Sequence, residues 1–168
     1  TWANKLAEYP NLVILRTLSK AFALAGLRCG FTIANDDVIA ALMKVIAPYP
    51  IPDPVAQIAA EALSEENIGR LHAQVDILNA EKARLTEALN AFEAFEMVGD
   101  TKANYVLFRY ARCKELMAYL VERGMLIRDQ SKQLNLENCL RVTIGSPEQD
   151  DRLLQLINDY FSQTGASK

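Results

Sequence analysis

The chain has 168 residues, 51% of them hydrophobic and 23% charged, which is the balance of an ordinary globular protein of one domain or two small lobes. A net charge of −3 excludes the strongly basic surface that binds nucleic acid or anionic lipid. The sequence contains no apolar run near the ~20 residues that cross a bilayer, so no membrane anchor is predicted.

Cysteine and histidine offer little chemistry in this sequence. The spacing of the cysteines is not that of metal ligands, which indicates reduced, buried thiols in a cytoplasmic protein. The three cysteines are Cys29, Cys113 and Cys139. The single histidine, His72, stands on a helical pattern among charged residues and is predicted to be exposed. Because the chain begins at Thr1 and has no signal-peptide pattern, it is expected to be cut from a longer protein.

The first elements predicted are strands separated by a loop. Residues 2–9 predict the end of a helix, stopped by a Pro-Asn pair. Residues 12–15 are apolar and partly β-branched, which is typical of a buried strand. A second strand is predicted over residues 30–34, with a short helical turn at residues 21–25 between the two.

Helical patterns follow the second strand. Asn35-Asp36 is an N-cap signal, and the apolar spacing predicts a helix over residues 37–46. Residues 47–54 hold four prolines in eight positions and predict a rigid, extended connector. A helix is predicted to resume over residues 55–63.

A long helix is predicted next, with Ser64 as its cap and its end near Phe92. Its apolar stripe consists of Ile68, Leu71, Val75, Leu78, Ala83, Leu85 and Leu89. A helix of this length predicts a bridge between two lobes.

Beyond residue 95 the pattern predicts a small α/β lobe built on one sheet. Its strands are predicted at residues 97–98, 103–108, 125–129 and 139–144, and its helices at residues 114–122 and 147–161. Arg123-Gly124 is a C-cap signal for the first of these helices, and Ser146-Pro147 is an N-cap signal for the second. Residues 165–168 are predicted to fray.

The strongest chemical signal is Lys20, which follows the first predicted strand. A lysine amine becomes nucleophilic at neutral pH when apolar surroundings and a nearby cation lower its pKa. Lys20 stands between Leu18 and Phe22, with Arg28 further along the chain. An amine beside a phosphate-sized anion site is what a Schiff base with pyridoxal phosphate requires.

Thr17, Ser19 and Arg28 are the candidates for that anion site. The two hydroxyls can donate hydrogen bonds to an anion, and a guanidinium can hold it bidentately. The residues alone leave a simpler alternative open, in which Ser19-Lys20 is a solvated surface pair and Arg28 is paired to a surface carboxylate.

The run from Thr17 to Phe31 contains the motif Ser-Lys-x-x-x-x-x-Gly-x-Arg-x-Gly. It resembles the Schiff-base lysine segment of fold-type I, class I/II pyridoxal-phosphate aminotransferases, and most closely their histidinol-phosphate branch. The likeness covers essentially the whole chain, as the C-terminal part of such an enzyme. It implies an α/β fold in which residues 1–63 belong to the large cofactor-binding domain, residues 64–94 form a linking helix and residues 95–168 form a small α/β domain.

The resemblance also implies roles for the residues of the lysine segment. Lys20 would hold pyridoxal 5'-phosphate covalently and act as the catalytic proton carrier. Thr17, Ser19 and Arg28 would bind the cofactor, chiefly at its phosphate.

Three residues of the second lobe resemble substrate-binding positions of the family. Arg141 lies mid-strand and resembles the arginine that grips the amino acid carboxylate, Arg128 resembles the one that reaches the substrate phosphate, and Asn104 would line the site. A guanidinium fork suits these anions better than a lysine does. The alternatives are an ordinary alternating surface face for Arg141 and a strand-end cation for Arg128.

The implied reaction moves an amino group between L-histidinol phosphate or imidazole acetol phosphate and L-glutamate or 2-oxoglutarate, a step of histidine biosynthesis, in a homodimeric parent enzyme. In the family the partner of the pyridine nitrogen, the stacking aromatic and the glycine-rich phosphate turn precede the lysine, so this chain alone is expected to be inactive. The alternatives are an aromatic or aspartate-type aminotransferase, a threonine-phosphate decarboxylase, or a non-catalytic anion-binding or dimerisation module.

Overall fold

The computed structural model describes residues 2–100 and 102–165. The chain divides into two compact units, Thr1–Ala73 and Gln74–Lys168, and the division falls inside one long helix. The assignment of residues 1–63, 64–94 and 95–168 to parts of a larger enzyme stays a prediction. No helix of the described ranges is long and apolar enough to cross a membrane.

The first unit contains one antiparallel hairpin and several helices. Its elements are a 3-10 helix at Ala3–Lys5, strand β1 at Val13–Thr17, a 3-10 helix at Ala25–Leu27, strand β2 at Gly30–Ala34, helix α1 at Asp36–Met43, helix α2 at Asp53–Ala62 and the start of helix α3, Glu65–Asn90. Val13 lies opposite Ala34 and Thr17 lies opposite Gly30. Both predicted strands are therefore confirmed, and β2 has the predicted bounds.

Four predicted helix boundaries in this unit are wrong. Helix α1 ends at Met43, before its predicted end at residue 46. Residues 2–9 form only a 3-10 helix followed by turns, since a short helix is marginal without packing. The helical turn predicted at residues 21–25 lies at Ala25–Leu27, because Ala23 has φ +55° and interrupts a right-handed helix. Helix α2 begins before its predicted start and includes Pro54, which is tolerated in a first turn where no intrahelical bond is lost.

The prediction that the first strand is buried is also wrong. Four of the five residues of β1 are exposed, and the exposed fraction of Leu15 is 75%. Among the described residues of this unit, Leu18 is the one large hydrophobic residue that is buried. The apolar, β-branched sequence suits a covered strand, but a two-stranded hairpin cannot cover both of its own faces.

The second unit has a complete sheet. Its elements are the second half of α3, strand β3 at Glu96–Met97, strand β4 at Tyr105–Arg109, helix α4 at Cys113–Glu122, strand β5 at Arg128–Asp129, strand β6 at Cys139–Thr143 and helix α5 at Pro147–Thr164. The four strands are antiparallel in the order β3-β4-β6-β5. The small α/β lobe is confirmed, although β5 is shorter than the strand predicted over residues 125–129.

One face of this sheet carries the core. The buried side chains come from all three helices and from the two central strands, and include Leu85, Leu89, Val106, Phe108, Leu116, Leu120, Leu140, Val142, Leu153 and Ile157. Phe95 packs on Phe108 with ring centroids 4.5 Å apart. Because strand residues alternate between faces, the neighbours of these residues on β4 and β6 project from the opposite face.

The predicted helix ends are largely confirmed. Ser146 and Gln149 form a reciprocal capping box, and Gly124 closes α4 with φ +76°. Ser64 accepts a hydrogen bond from the Asn67 backbone N–H at 3.4 Å. Asn35 precedes α1 as predicted, but its amide does not cap the helix; it donates to the carbonyls of Leu6 (3.3 Å) and Pro10 (3.0 Å).

The remaining sequence predictions concern thiols, the histidine and the C-terminus. All three cysteines are free, but Cys29 is only half-buried, whereas Cys113 and Cys139 are buried. His72 is exposed, as predicted. In the described chain no cluster of histidine, cysteine and carboxylate side chains could hold a metal ion. Of the residues predicted to fray, 166–168 lie outside the described residues.

Two buried carboxyl groups join α3 to the start of α5. Glu81 is 7% exposed and accepts hydrogen bonds from Arg84, whose guanidinium also pairs with Asp151 at 2.7 Å. Asp150 is 2% exposed; its Oδ1 accepts the Gly145 N–H at 3.1 Å, and Oδ2 has no hydrogen-bond partner within the described residues. Burial, with the nearby Glu81 carboxylate, raises the pKa of Asp150.

We expect Asp150→Asn to flatten the pH dependence of stability. A carboxyl whose folded pKa is raised binds its proton more tightly in the native state, so its contribution is lost as the pH rises from its unfolded value of 3.8 through the raised value. Urea unfolding at several pH values between about 4 and 7 measures this dependence. Asp76→Asn, at an exposed position of α3 with no ion pair among the described residues, is the control and should keep the wild-type slope, whereas equal slopes in all three proteins would contradict the expectation.

Candidate active site

The lysine segment begins where β1 ends. The Thr17 and Ser19 hydroxyl oxygens lie 2.8 Å apart, and the Ser19 backbone N–H donates to the Thr17 hydroxyl at 3.0 Å. These contacts fold the chain into a tight bend directly before Lys20. Two hydroxyl groups and one amine are thus held within four consecutive residues of a strand end.

Leu18 fixes the loop that follows. Its side chain is 1% exposed, its N–H donates to the Cys29 carbonyl at 3.1 Å, and its carbonyl accepts the Leu24 N–H at 3.1 Å. The loop therefore closes on itself and returns beside the end of β1. The return needs glycine at position 30, where a Cβ atom would lie 2.7 Å from the Arg16 carbonyl oxygen.

Arg28 is brought back to this end of the hairpin. It has a left-handed backbone, with φ +53°, and its guanidinium donates to the Ala25 carbonyl at 3.0 Å. The hairpin pairing brings Thr17, Ser19 and Arg28 to the same end of β1 and β2. Their donor groups are hydroxyls and a guanidinium, which suit an anion such as a phosphate.

The environment predicted for Lys20 differs from the observed one. Lys20 is exposed, and its ammonium has no ion-pair partner among the described residues, while the Arg28 guanidinium is directed to the Ala25 carbonyl. The physical reason is that apolar side chains of the same hairpin do not cover Lys20: Leu15 and Phe31 are themselves exposed. The apolar surroundings that would lower the pKa of a nucleophilic lysine are therefore not supplied by this unit.

The second unit places two arginines directly opposite each other. Arg128 on β5 pairs with Arg141 on β6, and cross-strand partners project from the same face of a sheet. This is the face opposite the core. Neither guanidinium has a carboxylate partner among residues 2–100 and 102–165.

Tyr105 and Asn104 lie beside this arginine pair. The Arg141 guanidinium carbon is 5.2 Å from the centre of the Tyr105 ring, and the Arg141 Nε is buried with no partner among the described atoms. Asn104 is exposed; it precedes Tyr105, and its carbonyl accepts the Ile144 N–H at 3.0 Å. Arg128 and Arg141 are thus on one sheet, and Asn104 directly precedes its strand β4.

Tyr105 is not among the residues that the sequence analysis singles out. It is half-buried, and its ring faces Arg141. The strand alternation contains the signal, since Val106 and Phe108 are buried and Tyr105 must project from the other face.

Comparison with known proteins gives the family. The family model described as "Aminotransferase class I and II" matches residues 2–157. The chain belongs to the class I and II aminotransferase family. A curated relative, histidinol-phosphate aminotransferase of Pseudoalteromonas atlantica, is 62% identical over 162 residues, which are 96% of this chain and 44% of the relative. The chain therefore spans less than half the length of the curated relatives it matches.

Solved aminotransferase structures share the fold. The crystal structure of histidinol-phosphate aminotransferase from Clostridium acetobutylicum matches with a TM-score of 0.86 at 23% identity, over 97% of this chain and 49% of that one. The Sinorhizobium meliloti enzyme, solved in complex with pyridoxal-5'-phosphate, matches with a TM-score of 0.76 at 20% identity, over 94% and 44%. This aminotransferase chain is accordingly an α/β segment of that fold.

The arginine pair of this aminotransferase segment is suited to an anionic ligand. Like charges directly opposite on a sheet repel, and a buried guanidinium N–H without an acceptor carries a desolvation cost. A carboxylate or phosphate between the two guanidiniums would relieve both effects. Arg128, which is exposed, and Arg141, which is half-buried, would then hold one end of the ligand each or share one anion.

We expect inorganic phosphate to stabilise the chain through this pair. Phosphate should raise the thermal midpoint of the wild type, and Arg128→Gln should reduce that increase while costing no more than about 1 kcal/mol without phosphate, because it also removes the repulsion. Differential scanning calorimetry across a phosphate series measures both effects. Arg70→Gln, which removes an exposed arginine from α3, should respond to phosphate as the wild type does; an equal response of Arg128→Gln would rule out anion binding at the pair.

Proposed function

We propose that this chain is the C-terminal part of a pyridoxal-phosphate-dependent aminotransferase acting in histidine biosynthesis. The parent enzyme would transfer an amino group between L-histidinol phosphate or imidazole acetol phosphate and L-glutamate or 2-oxoglutarate. Family membership supports the reaction class, and the 62% identical relative carries the name of this enzyme. The observation that carries the substrate assignment is the placement of Arg128 opposite Arg141.

The lysine segment would hold the cofactor. Its donor set fits pyridoxal phosphate, because one primary amine, two neighbouring hydroxyls and one guanidinium lie on a single hairpin end. Lys20 would bind the aldehyde covalently, and Thr17, Ser19 and Arg28 would bind the phosphate. The cofactor, when bound, supplies an electron sink for the bond that breaks at the substrate Cα.

The chain's own residues would then bind, orient and move a proton. The Lys20 Nζ, once released, would carry the proton to and from the substrate Cα as a general base and acid. Arg141 would hold the substrate carboxylate with its planar fork, and Arg128 the phosphate of the phosphorylated substrate. Asn104, beside the Tyr105–Arg141 contact, would line the same face.

The lysine environment requires more protein than this chain supplies. Lys20 is exposed, and the described residues of the first unit do not give it the apolar cover that a nucleophilic amine needs. We propose that this cover comes from the remainder of a longer, homodimeric and cytoplasmic parent. The chain alone is therefore expected to retain pyridoxal phosphate weakly and not to turn over.

The covalent role of Lys20 can be tested on the full-length protein loaded with pyridoxal phosphate. Borohydride reduction followed by peptide mass spectrometry should place the cofactor adduct on Lys20. Lys20→Ala should abolish the adduct and lower kcat by at least about 10²–10⁴-fold, the usual contribution of a positioned proton carrier. Lys44→Ala, an exposed lysine at the end of α1, is the matched control; an adduct that persists in Lys20→Ala would refute the assignment.

The substrate assignment is tested by Arg128→Gln in the full-length enzyme. We expect KM for L-histidinol phosphate to rise far more than KM for L-glutamate, because only the former carries a phosphate. Steady-state kinetics with each substrate gives the two ratios. Equal effects would instead favour an aromatic or aspartate-type aminotransferase, for which Arg128 would contact no phosphate. Release of carbon dioxide without consumption of 2-oxoglutarate would indicate a decarboxylase.

A further inference from the structure

Arg109, at the end of β4 and outside the proposed site, makes four hydrogen bonds through its guanidinium. Its Nη1 lies 2.9 and 2.8 Å from the two carboxylate oxygens of Glu96. Its Nε donates to the Glu137 carbonyl and its Nη2 to the Asn135 carbonyl, both at 3.0 Å. One guanidinium therefore joins β3, β4 and the loop that leads from β5 to β6.

The loop of residues 130–138 is held by hydrogen bonds and not by apolar packing at its tip, where Leu134 is 88% exposed. Its own turns are closed by the N–H groups of Gln133 and Leu136. Asn135 has a left-handed backbone, with φ +61°, which asparagine adopts more readily than most residues. Arg109 adds the side-chain hydrogen bonds that tie the carbonyls of Asn135 and Glu137 to β4.

The position of Arg128 depends on this loop. Strand β5 is two residues long and pairs with β6 only at Arg128–Arg141 and Asp129–Leu140. A slip of one residue in such a short pairing would turn Arg128 to the other face of the sheet. The loop that connects the two strands sets that register, together with the hydrogen bond from the Gln130 N–H to the Cys139 carbonyl at 2.9 Å.

We propose that Arg109 is a positioning residue that holds Arg128 in register opposite Arg141. The proposal rests on the proposed function, in which Arg128 binds the substrate phosphate. Arg109 itself would not contact substrate, because Glu96 neutralises its charge and its remaining donors face the loop carbonyls. It would act on specificity for the phosphorylated substrate through the geometry of the β5–β6 hairpin.

Arg109→Lys in the full-length holoenzyme tests the kinetic consequence. Lysine keeps the charge opposite Glu96 but cannot reach two carbonyls and a carboxylate with a planar fork. We expect KM for L-histidinol phosphate to rise on the order of tenfold while KM for L-glutamate and kcat stay within about twofold. Arg112→Lys is the matched control, since Arg112 also pairs with a carboxylate, Glu115, but has no hydrogen bond to the loop.

Amide hydrogen exchange provides the second readout. In Arg109→Lys the amides of Gln133, Leu136 and Cys139, which bond within or at the end of the loop, should exchange faster, while those of α5 keep their protection. Unchanged loop exchange, or equal increases in KM for both substrates, would overturn the proposal. A different result would separate this proposal from the proposed function. If loop exchange is faster in Arg109→Lys but Arg128→Gln changes KM for both substrates equally, the loop contact is confirmed and the proposed function is refuted.

Discussion

The pairing of β6 with strands on both sides is the constraint on which the second unit depends. Leu140 and Val142 are buried in the core, so Arg141 between them has to project from the opposite face. Arg141 lies opposite Leu107 of β4 on one side and opposite Arg128 of β5 on the other. Core packing thereby determines where both guanidiniums point, since a register slip that moved them would also expose the apolar residues. The direction of both guanidiniums is therefore a consequence of the hydrophobic core.

The first unit is organised differently, and its chemistry has a different physical basis. Backbone hydrogen bonds of Leu18 and the Thr17–Ser19 contact fix the shape of the lysine segment without a surrounding core. Local contacts can place donor groups, but they cannot provide a low dielectric, which requires many apolar atoms around an amine. Arrangement and environment of Lys20 are therefore separable: the first unit supplies the arrangement of the donor groups but not the apolar cover.

Sequence reasoning succeeded where a local rule determines the outcome. The β2 strand, the Ser146 capping box and the Gly124 helix end each follow from a few neighbouring residues. It failed where the outcome depends on distant partners: the residues of β1 have a buried-strand pattern yet remain exposed, and the amide of Asn35 binds carbonyls far away in sequence rather than its own helix. Resemblance predicts Lys20, Arg128 and Arg141 as site residues, and that remains a prediction. Strand alternation indicates the outward direction of Tyr105, whereas nothing in the local sequence indicates the hydrogen bonds of Arg109.

The arginines on the outer face of the sheet differ in whether a carboxylate of the described chain neutralises them. Arg109 has a carboxylate partner in Glu96 and two carbonyl acceptors, so its donors are committed within the protein. Arg128 and Arg141 have no carboxylate partner in the described chain, although they share that face and repel each other. A fold that neutralises one arginine and leaves an adjacent pair unneutralised keeps the pair free for an anion from outside. Each guanidinium can bind one anionic group bidentately. A pair of them would therefore distinguish a ligand with two anionic groups from a ligand with one.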